Sequence, residues 1–159
     1  MTGRILHFLV GEKRYGLRIA DITEIREITG TTPVPGAPDV IAGLTDIRGQ
    51  IVTLVDLAKI YGYTRPRTES LLAVQLAEPF SRLGVLIPGG VHDLQTEPAV
   101  RDEPERAEES SGAEAPLGEP AVLGREIVLS GIRPVFVLDV SALARYCTDR
   151  VREGFRVSV

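Results

Sequence analysis

The side chains in this sequence with the types needed for catalysis are two histidines, one cysteine and two strand-ending aspartates, and their spacing argues against each. His7 and His92 stand far apart with no H-x-x-E-H or H-E-x-x-H arrangement, and Cys147 has no partner cysteine, so no metal-ligand set is spelled out. Cys147 falls on the apolar face of a C-terminal helical pattern, which reads as a buried structural thiol rather than a nucleophile. Asp56 and Asp139 each close an apolar run, where a carboxylate hydrogen-bonds free backbone N–H groups or caps the turn that follows. A small hydrolase using Asp56 or Asp139 with a histidine is the enzymatic alternative. Pro88-Gly89-Gly90 is a turn without the G-x-G-x-x-G or G-x-x-x-x-G-K-[ST] spacing of a phosphate cradle. The expectation is a chain with no catalytic residue, no metal and no cofactor. Recognition chemistry is what remains, and its clearest candidate is the guanidinium of Arg48.

Arg48 is positioned by residues 40–57, VIAGLTDIRGQIVTLVDL, in which an Arg-Gly turn separates two apolar runs. Ile41, Leu44 and Ile47 punctuate a strand before the turn, and Ile51, Val52, Leu54 and Val55 suit a half-buried strand after it. Gly49 accepts a positive φ without penalty, which predicts a three-residue hairpin loop with Arg48 projecting from its tip. Elsewhere apolar runs of four to eight residues alternate with turn signals, so the architecture is mainly β. Ile5–Val10 and Arg14–Ile19 form a first hairpin about Gly11-Glu12-Lys13, and Asp21 caps a brief helical turn before Ile25–Ile28. Pro33, Pro35 and Pro38 interrupt pairing, and Leu57–Tyr61 is a helical turn stopped by Gly62. Leu71–Leu76, Leu83–Ile87, Ile127–Leu129 and Val135–Leu138 supply a second set of strands. A C-terminal helix over 141–153 places Leu143, Cys147 and Val151 on one face. The series Gly43…Gly49…Asp56-Leu57 is echoed by Gly124…Gly131…Asp139-Val140 with one residue inserted, which fits either a duplication or two hairpins with similar needs.

The chain has 159 residues, 43% hydrophobic and 25% charged, enough for one compact unit or two small subdomains sharing a core. Its net charge of −4 is misleading, because residues 95–121 alone hold eight acids and two bases, a net of −6, which leaves about +2 for the rest. That segment also has four prolines and no apolar periodicity. It reads as a mobile acidic loop inserted in the second half, either a solvated spacer or a docking element. No Lys/Arg run marks a nucleic-acid footprint, no eighteen-residue apolar run spans a membrane, and no signal segment is evident. A lone cysteine suits a reducing compartment, and the expected location is the cytoplasm.

Taken in order, Tyr15-Gly16, Glu24-Ile25-Arg26, the bend from Pro33 to Pro38, Gly43, Arg48-Gly49 and Asp56-Leu57 resemble the pattern of the CheW family of bacterial chemotaxis adaptors. The match is good over roughly residues 6–62 and looser beyond; Asp46 stands where the family usually has Asn, and Thr53 where it commonly has Pro. The resemblance implies a single domain over 1–159, built as two small SH3-like five-stranded β-barrels packed together, with a first subdomain over 5–62, pieces of the second completed by the C-terminus, and a second over 70–140. It implies two partners, the regulatory domain of a CheA-type histidine kinase and the cytoplasmic tip of a methyl-accepting chemoreceptor, with recruitment to membrane-bound receptor arrays and neither nucleic acid nor membrane insertion. It also implies partner-binding residues: Arg48, Gly49, Glu24, Ile25 and Gly43, with apolar contact from Ile22 and Val34. At Gly43 the missing side chain would admit close approach of a partner helix. A paralogue serving a gliding or pilus pathway with one of the two partners, and a regulatory domain detached from a larger kinase, are the neighbouring readings.

Overall fold

The computed structural model describes residues 3–63, 70–89, 94–98, 123–127 and 134–156. Its elements run β1 (Arg4–Val10), β2 (Lys13–Arg18), a 3-10 turn (Ile19–Asp21), β3 (Ile22–Ile28), β4 (Ile41–Ile47), β5 (Gln50–Asp56), α1 (Leu57–Ile60), β6 (Leu71–Leu76), β7 (Leu83–Pro88), β8 (Gln95–Pro98), β9 (Gly124–Ile127), β10 (Val135–Leu138) and α2 (Val140–Arg156). Among the described residues these strands form two five-stranded sheets, ordered β3-β6-β7-β5-β4 and β8-β1-β2-β10-β9. The mainly β architecture with a C-terminal helix is therefore as expected.

Both sheets use one pairing scheme. Reading across each, the first three strands are antiparallel to their neighbours, the fourth runs parallel to the third, and the fifth is antiparallel to the fourth. In both, an aspartate at the end of the fourth strand or directly after it caps a helix: Asp56, the last residue of β5, accepts through Oδ1 from Ala58 N–H at 3.0 Å, and Asp139, the residue after β10, accepts through Oδ1 from Ala142 N–H at 3.1 Å. These are the helix-capping roles read from the sequence. Asp21, in contrast, ends its 3-10 turn; Arg18 stands at the cap position without a side-chain bond.

Sheet membership does not follow the expected division into 5–62 and 70–140. Residues 22–88 supply all of one sheet, and residues 4–18 join β8, β9 and β10 in the other. Hydrophobic period marks a strand and its buried face but carries no information about the partner across the ladder, so which segments share a sheet is not legible in the sequence. The expected acidic loop also starts later than residue 95: Gln95–Pro98 is β8, paired with Arg4–His7 and held by Arg4 Nη2 donating to Thr96 Oγ1 at 2.9 Å. Residues 99–122 lie outside the described residues, as do His92, Gly131 and residues 128–129 of the expected Ile127–Leu129 strand.

One apolar core serves both sheets, with Phe8, Val10, Tyr15 and Leu17 from one meeting Leu72, Val74, Leu76 and Val85 from the other, beside Leu57 of α1 and Leu143 and Cys147 of α2. Tyr15 stacks at 4.8 Å on Tyr61 and meets Phe136 edge-on at 5.9 Å, a geometry aromatic quadrupoles favour. A smaller cluster of Ile47, Val52, Leu54, Ala73 and Leu86 backs the β4–β5 hairpin. At Thr53, where proline is common in the family pattern, the N–H donates to Arg82 O at 2.8 Å, a bond proline lacks the hydrogen to make.

Candidate functional site

The β4–β5 hairpin turns in two residues, since Ile47 pairs with Gln50, and not in the expected three. Arg48 at φ 52° and Gly49 at φ 82° both occupy the left-handed region, the requirement of a type I′ turn, whose twist matches that of the flanking strands. Arginine pays about 1 kcal/mol for that conformation. Part of this is offset by Asp46, whose Oδ1 accepts from Gly49 N–H at 2.7 Å. The exchange of Asn for Asp at this position is thereby explained, because both residues offer the acceptor oxygen the turn uses.

Strain at an exposed residue is worth noting when the residue projects something useful. The Arg48 side chain is 79% exposed, with its Nε 3.0 Å from Glu24 Oε2 on β3, while Glu24 Oε1 lies 3.1 Å from Arg26 Nη2. An ion pair with so exposed a partner contributes at most about 1 kcal/mol to stability. The fold does not depend on it, and the guanidinium keeps donors for a second carboxylate or carbonyl.

Of the residues expected at the site, Arg48, Gly49 and Glu24 come together. Ile25 and Ile22 flank Glu24 along β3 but are half-buried and pack against the shared core, so their packing role is real. Val34 lies in the proline bend, its carbonyl accepting from Ala37 N–H at 3.1 Å. Gly43 sits near the start of β4, at the end remote from Arg48, and the close approach there is intramolecular: a Cβ would lie 2.5 Å from Thr32 O. Its lack of a side chain admits the chain's own Thr31–Thr32 segment, which corrects the reason given for placing a partner helix at this glycine.

Sequence reasoning missed the rest of the surroundings. A cleft of about 340 Å³ beside the turn is lined by Thr23, Glu24, Ile47, Arg48, Gln50, Gln75, Glu78 and Ser81. Ile51, three residues beyond Arg48, is 51% exposed. The available signal was Gln75, the one polar residue in the run LLAVQL.

The cleft contains a hydroxyl–carboxylate contact, Ser81 Oγ donating to Glu78 Oε1 at 2.7 Å, and it is exposed. Among the described residues no group of three or more His, Cys, Asp or Glu side chains is arranged to hold a metal. His7 is fully buried, with its Nδ1 3.1 Å from Arg14 Nη1, and arginine can only donate in that contact. Burial pushes the Cys147 thiol up to about 12, far from the thiolate a nucleophile needs. A thiol reagent at pH 8 is therefore expected to label Cys147 only after denaturation; rapid labelling of the native protein would refute its burial. With the folded value above the unfolded one, this thiol's contribution to stability is complete below pH 9 and declines as pH rises toward 12.

A pair of small β units sharing one core, with a charged and exposed hairpin tip, is an arrangement suited to a binding module. The CheW-like domain model matches residues 4–146, and the chain belongs to that family, whose members are non-enzymatic scaffold proteins. Among curated relatives it is 30% identical over 104 residues to the chemotaxis protein CheW of Klebsiella aerogenes, covering 64% of this chain and 63% of that one. It is 28% identical over 92 residues to the chemotaxis protein CheW of Rhizobium meliloti, covering 58% and 59%. The chain thus spans about three fifths of the length of these relatives. The crystal structure of the scaffolding protein TtCheW from Thermoanaerobacter tengcongensis superposes with a TM-score of 0.63 over 88% of this chain and 90% of that one, at 19% identity, which establishes the shared SH3-like fold. No helix among the described residues is long and apolar enough to cross a membrane.

Proposed function

We propose that this chain is an adaptor of a bacterial chemosensory pathway, coupling the cytoplasmic tip of a methyl-accepting chemoreceptor to the regulatory domain of a CheA-type histidine kinase. It works in the cytoplasm, at membrane-bound receptor arrays. Membership of the CheW-like family supports the class of partner. The observation that carries the site is Arg48, held in a strained turn at 79% exposure beside Glu24. Arginine at the centre of a contact, with a carboxylate that orients it, is the composition that binding hot spots favour. Glu24, Gly49 and Ile25 complete the charged part of this surface and its flank, Ile51 adds apolar area, Ile22 and Gly43 support it from β3 and β4, and Val34 adds apolar contact from the proline bend.

Coupling requires no chemistry on this chain. Two barrels on a common core offer an edge or end to a related barrel in the kinase, and a groove between them suits a helical hairpin from the receptor. Control then follows from which arrangement of the assembly each partner favours.

Titration of the kinase regulatory domain and of a receptor-tip fragment with the protein and with Arg48→Ala tests this reading. We expect the variant to keep its thermal midpoint, since the change is at the surface and within about ±0.5 kcal/mol, and to bind at least one of the two about tenfold more weakly or worse. Unaltered affinity for both would remove Arg48 from the site, and failure to fold would make it structural.

A further inference from the structure

Gln75 lies in β6 among Leu72, Ala73, Val74 and Leu76, all buried, and is itself only 4% exposed. A carboxamide so placed is tolerated when both its N–H groups are used, and they are. Nε2 donates to Gln50 Oε1 at 2.9 Å and to Ser81 O at 2.8 Å. The network continues outward, with Gln50 Nε2 donating to Ser81 Oγ at 3.3 Å and Ser81 Oγ donating to Glu78 Oε1 at 2.7 Å. Every donor and acceptor in it has one consistent sense, because Ser81 O can only accept.

Gln50 is the foot of the Arg48-Gly49 turn, paired across to Ile47. The parallel ladder between β5 and β7 covers only Thr53–Asp56, so residues 50–52 have β4 alone as a strand partner. A two-stranded ribbon is marginal by itself. Ile47 and Val52 pin this one through apolar packing, and the link from Gln75 ties Gln50 to the barrel by hydrogen bonds.

We propose that Gln75 is a positioning residue: through Gln50 and Ser81 it locks the Arg48 turn against the β6–β7 connection, so that Arg48 and Glu24 hold one geometry before a partner arrives. The gain is pre-organisation, since a turn already ordered loses less freedom on binding. The proposal rests on the reading of Arg48 as a partner contact. Its physical core, an ordered turn, can be measured without any partner.

The test uses Gln75→Leu, a near-isosteric change in an otherwise apolar strand, and Gln50→Ala, which cuts the same link from the half-buried side. Both variants are expected to melt within a few degrees of the parent and to raise amide exchange at Gly49 and Gln50 several-fold. Affinity for the kinase regulatory domain or receptor-tip fragment, whichever Arg48→Ala weakens, should fall about three- to tenfold. In the Arg48→Ala background neither variant should weaken binding further, whereas a merely structural role would add its effect in both backgrounds. Unchanged exchange at the turn in both variants, or full additivity with Arg48→Ala, overturns the proposal. If Arg48→Ala binds both partners like the parent, the reading of the site fails instead, and the exchange measurement alone then decides whether Gln75 orders the turn.

Discussion

Replacing Gly43 by alanine is expected to destabilise the protein by about 2–4 kcal/mol, the range reached when a substitution forces a strained backbone and breaks a buried contact together. Gly43 has φ 145°, and its Cβ would lie 2.5 Å from Thr32 O and 2.9 Å from Thr31 Oγ1. Those atoms are already committed. Thr32 and Leu44 exchange two backbone bonds, at 2.9 and 2.8 Å, and Thr31 Oγ1 donates to Ala42 O at 2.9 Å. The segment must therefore shift and lose these bonds, or β4 must leave its bulge between Ile41 and Gly43. Urea unfolding of Gly43→Ala measures the loss. A variant as stable as its parent but defective in partner binding would show that the space at Gly43 belongs to a partner after all.

Truncating Leu57 to alanine is expected to cost about 2–5 kcal/mol, as for a buried leucine whose site collapses only partly. Leu57 is fully buried, opens α1 directly after the Asp56 cap, and belongs to the core shared by both sheets. Because that core is continuous, the two sheets should be lost in one transition. With four tyrosines and no tryptophan, tyrosine fluorescence and far-ultraviolet dichroism are suitable independent probes, and their curves should coincide in parent and variant. Two separated transitions would mean that the sheets are thermodynamically independent and the shared core contributes little.

Legibility in the sequence depended on how local each signal was. The strands around Arg48, the turn at Gly62, the helix opening near Ser141 and the capping roles of Asp56 and Asp139 were all readable, because each arises from residues within a few positions of one another. The parallel pairing of β10 with β2 was not, since 135–137 meet 14–16 through contacts that leave no mark on either segment alone. The site divides in the same way. Arg48 and Gly49 announce a turn, but whether it has two or three residues depends on the register of Ile47 and Gln50. Glu24 reaches Arg48 only because β3 and the hairpin tip converge in space. Gln75 was visible as a polar residue in an apolar strand, yet its partners Gln50 and Ser81 were not.

The interleaving of the two sheets has a consequence for how the chain assembles as it is made. The sheet drawn wholly from residues 22–88 can close once Pro88 has been released, whereas the other sheet waits for β10 at residues 135–138. At the usual synthesis rate of about 5–20 residues per second, the hairpin of β1 and β2 spends several seconds with the edge of β2 unpaired. Phe8 and Tyr15 on that hairpin belong to the shared core, so the first sheet offers them a surface to rest on during the delay. The early sheet thus serves as a template for the late one, and the edge of β2 is where a stalled or truncated chain is expected to aggregate.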